Sequence, residues 1–233
     1  MDTLEQGRCE NCIIRQLNSL KALSKSELKA ISDSKTTKSI KKGDTIFTEG
    51  ENLNGVFCVR NGVTKLSKLS ANGKDQIVKL AKKGEVLGQR SVIANQKTNL
   101  AAIALKDMEV CFIPKHKLNE SINNNIEFTK EILLKMTDEL KFANDMIMDL
   151  SQKTVKQRVA QILLYLNNSF DKDDEGFIGL YLTRNDISDI VGTAKEACIR
   201  TLTELKNEGF IFTQGKRIKI LKPKSLLHFI NGI

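Results

Sequence analysis

The sequence predicts an α+β chain in three parts, and three observations carry that reading. Between Thr36 and Pro114 short β-type runs alternate with glycines. From Leu133 to Leu150 apolar residues recur every three or four positions. From Thr183 onward two helix starts lie close together and a short hairpin-like run follows them. The domains expected from this pattern are 1–125, rich in strands behind an N-terminal helical segment, then a long helix over 126–152, then a small helical unit with a hairpin over 153–233.

Length and charge narrow the function classes. The 233 residues allow one large or two ordinary domains, each able to bury its own core. A formal net charge of +9 suits a polyanionic partner, although the excess is spread along the chain. Residues 151–233 hold 13 Lys and Arg against 9 Asp and Glu, a net of +4. Four of those acids share one loop, Asp171, Asp173, Asp174 and Glu175, so the helices and hairpin around it are more basic than the average. No apolar run reaches membrane-spanning length, and the start MDTLEQGRCE lacks the apolar core of a signal peptide. A soluble, cytoplasmic protein with no membrane partner is expected. Five cysteines, an odd number without secretory context, argue against a disulfide framework. The two histidines, His116 and His228, lie in unrelated contexts, and no Walker loop is present. No catalytic constellation emerges, and an enzyme is not expected.

Taken in order, residues 9–33 open on Cys9-Glu-Asn-Cys12 and continue as a helical stretch, with Leu17, Leu20, Leu23 and Leu28 at near-helical spacing. One Cys-x-x-Cys pair supplies two ligands and needs partners from elsewhere to hold a metal. TIF at 45–47, GVFCVRNG at 55–62, VTKLSKLS at 63–70, DQIVKLA at 75–81, AAIAL and MEVCFIP read as the short strands of a barrel or sandwich. Cys58 alternates with Phe57 and Val59 in one of them and reads as a core residue. Pro114 opens a helix over Lys115 to Ile122, and SINNNIEF behind it reads as a loop.

Leu133, Met136, Leu140, Ala143, Ile147 and Leu150 then recur at spacings of three, four, three, four and three, uninterrupted by Gly or Pro. That is the seam of a two-stranded coiled coil, flanked by Glu139, Lys141 and Asp145. A second helix runs from Thr154 to about Leu166, so a hinge is expected near Ser151 to Thr154. Thr183 with Asp186, and Thr193 with Glu196, have the spacing of capping boxes. Ile187, Ile190 and Val191 share one face of the first short helix, Gly192 supplies the turn, and Cys198, Leu202 and Leu205 form the stripe of the second. Two short helices around a Gly-containing turn read as helix-turn-helix, whose second helix lies in the major groove of DNA. On its outward side Lys195, Ile199 and Thr203 form one line, Glu196 and Arg200 the next. A carboxylate accepts from the cytosine amino group, an arginine reaches guanine O6 and N7, and Ile199 suits a thymine methyl. Lys216, in the hairpin GFIFTQGKRIKIL, is placed to meet phosphate, and Pro223 in KPKSLLHFI starts a last helix.

Gly192, Glu196 and Arg200, each separated by three residues, and the hairpin behind them resemble the Crp/Fnr family of bacterial transcription regulators. KKGDTIFTEGE and VFCVRNGVTKL resemble that family's cyclic-nucleotide-binding β-roll, and the resemblance runs from about Cys9 to the C-terminus. It implies a β-roll, a dimerisation helix built on the seam residues, and a winged helix-turn-helix. The partners it implies are double-stranded DNA, a second copy of the chain and RNA polymerase. The operator it implies is palindromic, with TGA or TTGA half-sites about one helical turn apart, on the order of 10 bp centre to centre. Members that bind cyclic AMP hold its ribose with a Gly-Glu pair and its phosphate with an Arg-Ser pair. The matching loop, LGQRSVIANQKTNLAA, keeps Gly88 but has Gln89 for the glutamate and Asn99-Leu100 for Arg-Ser, while Arg90 sits too early in the loop to replace that arginine. Without the bidentate cation, cyclic AMP is not expected as effector. Gly88, Gln89, Arg90 and Asn99 remain a candidate effector pocket.

In the fumarate-and-nitrate regulator branch, N-terminal cysteines and one distant cysteine bind an iron–sulfur cluster. Cys9 and Cys12 match two N-terminal positions and Cys111 matches the distant one, whereas the remaining position is Asn18. Two readings stay open, a cluster at Cys9, Cys12 and Cys111 or a thiol pair that holds none. A function of another class, a cyclic-nucleotide-binding-like regulatory module acting through a protein partner, is opposed by Gln89, Asn99 and the intact recognition helix.

Overall fold

The computed structural model describes residues 7–71 and 73–232. The expectation about a signal peptide falls mostly on residues 1–6, which lie outside the described residues. The chain divides into two compact units, Met1–Leu69 with Val78–Lys141, and Ser70–Ile77 with Phe142–Ile233.

The first unit holds all of the β-roll but the start of its fifth strand. The strands of the roll are β1 (Thr36–Ile40), β2 (Thr45–Phe47), β3 (Gly55–Asn61), β4 (Val63–Leu69), β5 (Asp75–Lys82), β6 (Val86–Leu87), β7 (Ala101–Ala104) and β8 (Met108–Pro114). They form two four-stranded sheets, ordered β1-β8-β3-β6 and β2-β7-β4-β5. Between β3 and β4 the chain reverses at Asn61-Gly62, where Gly62 has φ +95° and a Cβ would lie 2.2 Å from Met108 Cβ. Only glycine fits that turn. Val56, Val59, Leu87 and Ile113 from the strands are buried with Leu28 and Phe128 from the helices. Each such side chain contributes about 1.5–3 kcal/mol relative to exposure.

The N-terminal segment departs from the expected continuous helix. It makes three separate 3-10 turns, Cys9–Asn11, Ile13–Leu17 and Ser19–Ala22, before helix α1 (Lys25–Ser34). Asn18 takes an extended backbone and its side chain accepts from Leu20 N–H, while Ser24 and Glu27 form a capping box that starts α1 afresh. These local side-chain bonds compete with helix continuation. Leu20, Leu23 and Leu28 are buried, but Leu17 is 61% exposed.

Short helix α2 (Gln89–Ala94) lies between β6 and β7, and α3 (Lys115–Asn124) follows β8. SINNNIEF is not a loop. Only Asn125 separates α3 from the long helix α4 (Ile126–Gln152). Asn125 Oδ1 accepts from Phe128 N–H at 2.9 Å and its amide donates to Glu27, so one capping asparagine does the work expected of a polar loop. Phe128 and Ile132 bury the start of α4. Further along, Leu133 (60%), Leu140 (64%) and Ile147 (64%) stand exposed.

The second unit contains α5 (Val155–Ser169), α6 (Arg184–Val191), α7 (Lys195–Asn207), β9 (Ile211–Gln214), β10 (Arg217–Ile220) and α8 (Pro223–Asn231). Thr154 and Gln157 cap α5 reciprocally, and Val159, Ala160, Leu163 and Leu166 form its buried face. β9 and β10 pair antiparallel as the wing.

Candidate nucleic-acid interface

The helix-turn-helix is set by its first cap. Asp186 N–H donates to Thr183 Oγ1 at 3.0 Å and Thr183 N–H returns a bond to Asp186 Oδ2 at 3.0 Å. Gly192 ends α6 in the left-handed region, φ +69°, and its N–H reaches Ser188 O at 2.9 Å. That backbone state turns the chain into α7 at little steric cost. Ile187, Val191, Cys198, Leu202 and Leu205 are buried together in this unit.

The second expected cap does not form. The residue before α7 is Ala194, its C=O accepts from Cys198 N–H at 3.0 Å, and no side chain caps the helix. Thr193 lies one residue too early because its own N–H is held by Ser188 O at 3.1 Å, which keeps it in the turn. Glu196 is thereby released from capping. It is exposed, as are Lys195, Ile199, Arg200 and Thr203, while Thr193 is half-buried. Thr203 Oγ1 donates back to Ile199 O at 3.0 Å, so its hydroxyl is already engaged. Lys216 is exposed at the tip between β9 and β10.

Three arginines that the sequence did not single out hold this unit in shape. Arg158 on α5 donates to Lys153 O at 2.8 Å and Val191 O at 3.0 Å, fastening the turn of the motif to the start of α5. Arg184 donates to Gly215 O at 3.0 Å, joining α6 to the wing tip, and burial lowers its pKa. Arg217 meets Asp173 at 2.8 Å and Glu175 at 3.0 Å, with its guanidinium 4.0 Å over the Phe177 ring. The acidic loop is thus folded onto the wing by a wing cation. Burial works to raise the Asp173 pKa, but Arg217, Phe177 N–H and Tyr181 outweigh it and hold the carboxyl at about 2. A guanidinium that binds several groups far apart in sequence leaves no local pattern.

Along α4 the expected seam is outward. Leu133, Leu140, Ala143, Ile147 and Leu150 are exposed, and Met136 is half-buried against the roll's core. No helix among the described residues is long and apolar enough to cross a membrane.

Of the four residues of the candidate effector pocket, the structure brings Arg90 and Asn99 together and turns Gln89 away into the core. Gly88 precedes α2 with φ +79°, and Gln89 is turned inward, its Nε2 buried without a hydrogen-bond partner. Gln89 lines a void of about 10 Å³ among Leu20, Ile31, Val56, Ile113 and Phe128. That is room for about one water. Arg90, expected to be too early in the loop, does reach Asn99 Oδ1 with its guanidinium, because α2 carries it across the loop.

The cysteines fall into two groups. Cys198 is alone and fully buried, its thiol pushed up to about 11 by burial. Cys9 and Cys111 are buried in the roll's core and Cys12 is half-buried against it. Cys58, read as a core residue, is buried as expected, but in β3 directly opposite Cys111 of β8. Among the described residues no group of three or more His, Cys, Asp or Glu side chains is placed to hold a metal ion.

Comparison with known proteins matches both units. Residues 37–125 fit the cyclic nucleotide-binding domain and residues 157–229 the Crp-like helix-turn-helix domain. Electron transport regulator A of Shewanella oneidensis is 30% identical over 94% of this chain and 88% of its own length. The fumarate and nitrate reduction regulatory protein of Vibrio cholerae is 29% identical over the same shares, 94% and 88%. The crystal structure of FixK2 from Bradyrhizobium japonicum superimposes with a TM-score of 0.74 at 26% identity, covering 83% of this chain and 96% of that one. Two domain matches in this order, on a chain whose exposed α7 follows a glycine turn and whose wing closes behind it, lead to one conclusion: the protein belongs to the Crp/Fnr family of transcription regulators.

Proposed function

We propose that the protein is a homodimeric, sequence-specific DNA-binding regulator that reads a palindromic operator and is not gated by cyclic AMP. The observation that carries this reading is the outward row on α7. Lys195, Glu196, Ile199 and Arg200 are exposed without structural duties, on a helix whose other face is buried. Glu196 and Arg200 supply base choice at a G·C pair, and Ile199 meets a thymine methyl. Lys195 and Lys216 supply phosphate contacts and the salt dependence that goes with them. Thr193 and Thr203 border the contact, with the Thr203 hydroxyl already held by its own helix.

The exposed apolar row from Leu133 to Leu150 supports a second copy of the chain as the partner of α4, since a seam of this period packs knobs into holes. A two-fold dimer then presents two α7 helices to two half-sites. Against cyclic AMP stand the inward-turned Gln89, where the ribose would need a carboxylate, and the Asn99-Leu100 pair in place of Arg-Ser; the cation that does reach Asn99 is Arg90, already bonded to its side chain. RNA polymerase is the further partner of such a regulator on its operator.

Selection of binding sites from random duplexes tests the reading. The expected outcome is a palindrome with a G·C pair in each TTGA-like half-site, bound equally with and without cyclic AMP. A motif without two-fold symmetry or without that pair overturns the roles given to Glu196 and Arg200.

A further inference from the structure

Two neighbouring cations of the wing have different surroundings. Lys216 is exposed at the two-residue reversal Gly215-Lys216 between β9 and β10, whereas Arg217 is half-buried. Charge alone would make both of them phosphate contacts. The geometry of Arg217 speaks against that. Its Nη2 lies 2.8 Å from Asp173 Oδ2 and 3.0 Å from Glu175 Oε1, and its Nε is buried. Nη1 donates to Gln214 Oε1 at 3.4 Å, and the guanidinium lies over the Phe177 ring. A phosphate would have to displace two carboxylates to reach it, and those charge-assisted bonds are strong ones.

The wing consists of two strands of four residues each. A hairpin that small is marginal by itself and takes its orientation from what it packs on. Much of that packing comes from the acidic loop and the residues behind it. Ile178 N–H donates to Ile218 O at 2.9 Å, Lys219 Nζ donates to Glu175 O at 2.9 Å, and the Phe177 and Phe212 rings lie 6.0 Å apart. Arg184 holds Gly215 O, one residue from Lys216. Asp173 ties the loop together. Its Oδ1 accepts from Phe177 N–H at 2.9 Å and Glu175 N–H at 3.1 Å, while its Oδ2 accepts from the Tyr181 hydroxyl at 3.0 Å and from Arg217. One carboxylate thus shapes the loop and grips the wing. We infer that Asp173 and Arg217 are positioning residues for DNA: they set the wing so that Lys216 meets a backbone phosphate, and the acidic loop promotes binding of a polyanion instead of opposing it.

A role through the field of the loop and a role through its grip predict opposite signs. If the loop acted only by its charge, removing a carboxylate near a phosphate-binding surface would tighten binding, most of all at low salt. If Asp173 holds the wing, the same change weakens binding, because Lys216 loses its place. The cation of the pair has to be an arginine. Its planar fork meets two carboxylates while its face stacks on Phe177, and an ammonium keeps the charge but does neither. This inference rests on the DNA-binding reading, and the two failures are distinguishable: a wild type that binds no duplex sinks both, whereas a wild type that binds beside an undiminished Asp173→Asn sinks this one alone.

The test is fluorescence anisotropy of the full-length protein over a series of salt concentrations, on a duplex recovered by site selection and on a random-sequence duplex of equal length. Asp173→Asn and Arg217→Lys should weaken binding to both duplexes alike, since phosphate contacts carry no sequence information. Each should flatten the slope of log affinity against log salt by about one, as Lys216→Ala does. Adding Lys216→Ala to Arg217→Lys should cost nothing beyond Lys216→Ala alone, because the contact is already lost. Thermal melting fixes a temperature at which the variants are folded, and Arg217→Lys carries the test if Asp173→Asn does not fold. Three results overturn the inference: unchanged or tighter binding by folded Asp173→Asn, wild-type affinity and slope in Arg217→Lys, or losses for Lys216→Ala and Arg217→Lys that add in full.

Discussion

The helix-turn-helix and the cysteine corner of the roll distribute their polar chemistry in opposite directions. In α7 the apolar half is inside, with Cys198 and Leu205 fully buried, while Lys195, Glu196 and Arg200 stand in solvent. At the corner the chemistry is inside. Cys9, Cys58 and Cys111 are buried, and the Asn18 amide donates to Cys58 Sγ at 3.5 Å. A surface that keeps its charges outside meets something larger than itself. Cys198 makes the contrast sharper, because in the helix-turn-helix the same residue type is buried without a neighbouring cysteine, and burial dominates the rise of its thiol.

The largest effect is expected on α4, the helix proposed to pack against a second copy of the chain. Replacing Ile147 by Asp puts a carboxylate into the exposed seam of α4, where two copies would bury it unpaired. Self-association should weaken by roughly 3–5 kcal/mol, and operator binding should fall with it. Light scattering and sedimentation at micromolar concentration check this. A variant as dimeric as the wild type, or a wild type that is monomeric in air, would break the reading of the seam.

Next comes the outward face itself. Glu196→Ala should cost about 1–3 kcal/mol on the preferred operator and relax choice at one base pair. Because Glu196 caps nothing in α7, the variant should keep its helix content by circular dichroism. Lys216→Ala should instead weaken all sequences alike and reduce the salt slope by about one. Equal loss on all sequences for Glu196→Ala would move that residue from reading bases to general contact.

A pH-dependent effect follows from the acidic loop. The Asp173 carboxyl is held at about 2, below its ordinary 3.8, so the folded state binds fewer protons than the unfolded one between those values. Its stabilising contribution is full above about 4 and is lost as pH falls through about 2. Asp173→Asn should therefore lower stability at neutral pH and flatten the acid limb of the denaturation curve. An unchanged acid limb in the variant would remove the loop's anchorage on Arg217 as a source of stability.

The smallest effect sharpens the contrast between the cysteines. Cys198→Val exchanges a buried, protonated thiol for a similar apolar volume and should alter stability by less than about 1.5 kcal/mol. Duplex binding and its response to oxidant should match the wild type. Loss of oxidant sensitivity in this variant would make the Cys198 thiol an oxidant sensor and not a packing residue.

Much of this was legible in the sequence because it is written at short range. Thr183 and Asp186 form their box three residues apart, Gly192 takes the left-handed turn that only glycine adopts freely, and the strands appear where alternation and glycines put them. Failures of the sequence reading share one cause. Thr193 and Glu196 have the right spacing for a cap, but the bond from Thr193 N–H to Ser188 O leaves Ala194 in the capping place. Asn125 turns an apparent loop into a one-residue joint by bonding to Glu27, far back in the chain. In both cases a competing partner outside the local window won.

The sequence by itself determined the order of elements, the buried stripe of α7, the apolar row of α4 and the family, since periodicity and capping act over three or four residues. Only the tertiary structure decided that Cys58 faces Cys111, that Asn18 touches Cys58, and that Arg217 draws the acidic loop onto the wing. Each of these joins residues that are 40 or more positions apart, or 53 for the two cysteines. Their meeting depends on strand register and on where the chain is fastened. Those long-range pairings are fixed by the whole core at once, and no local pattern in the sequence records them.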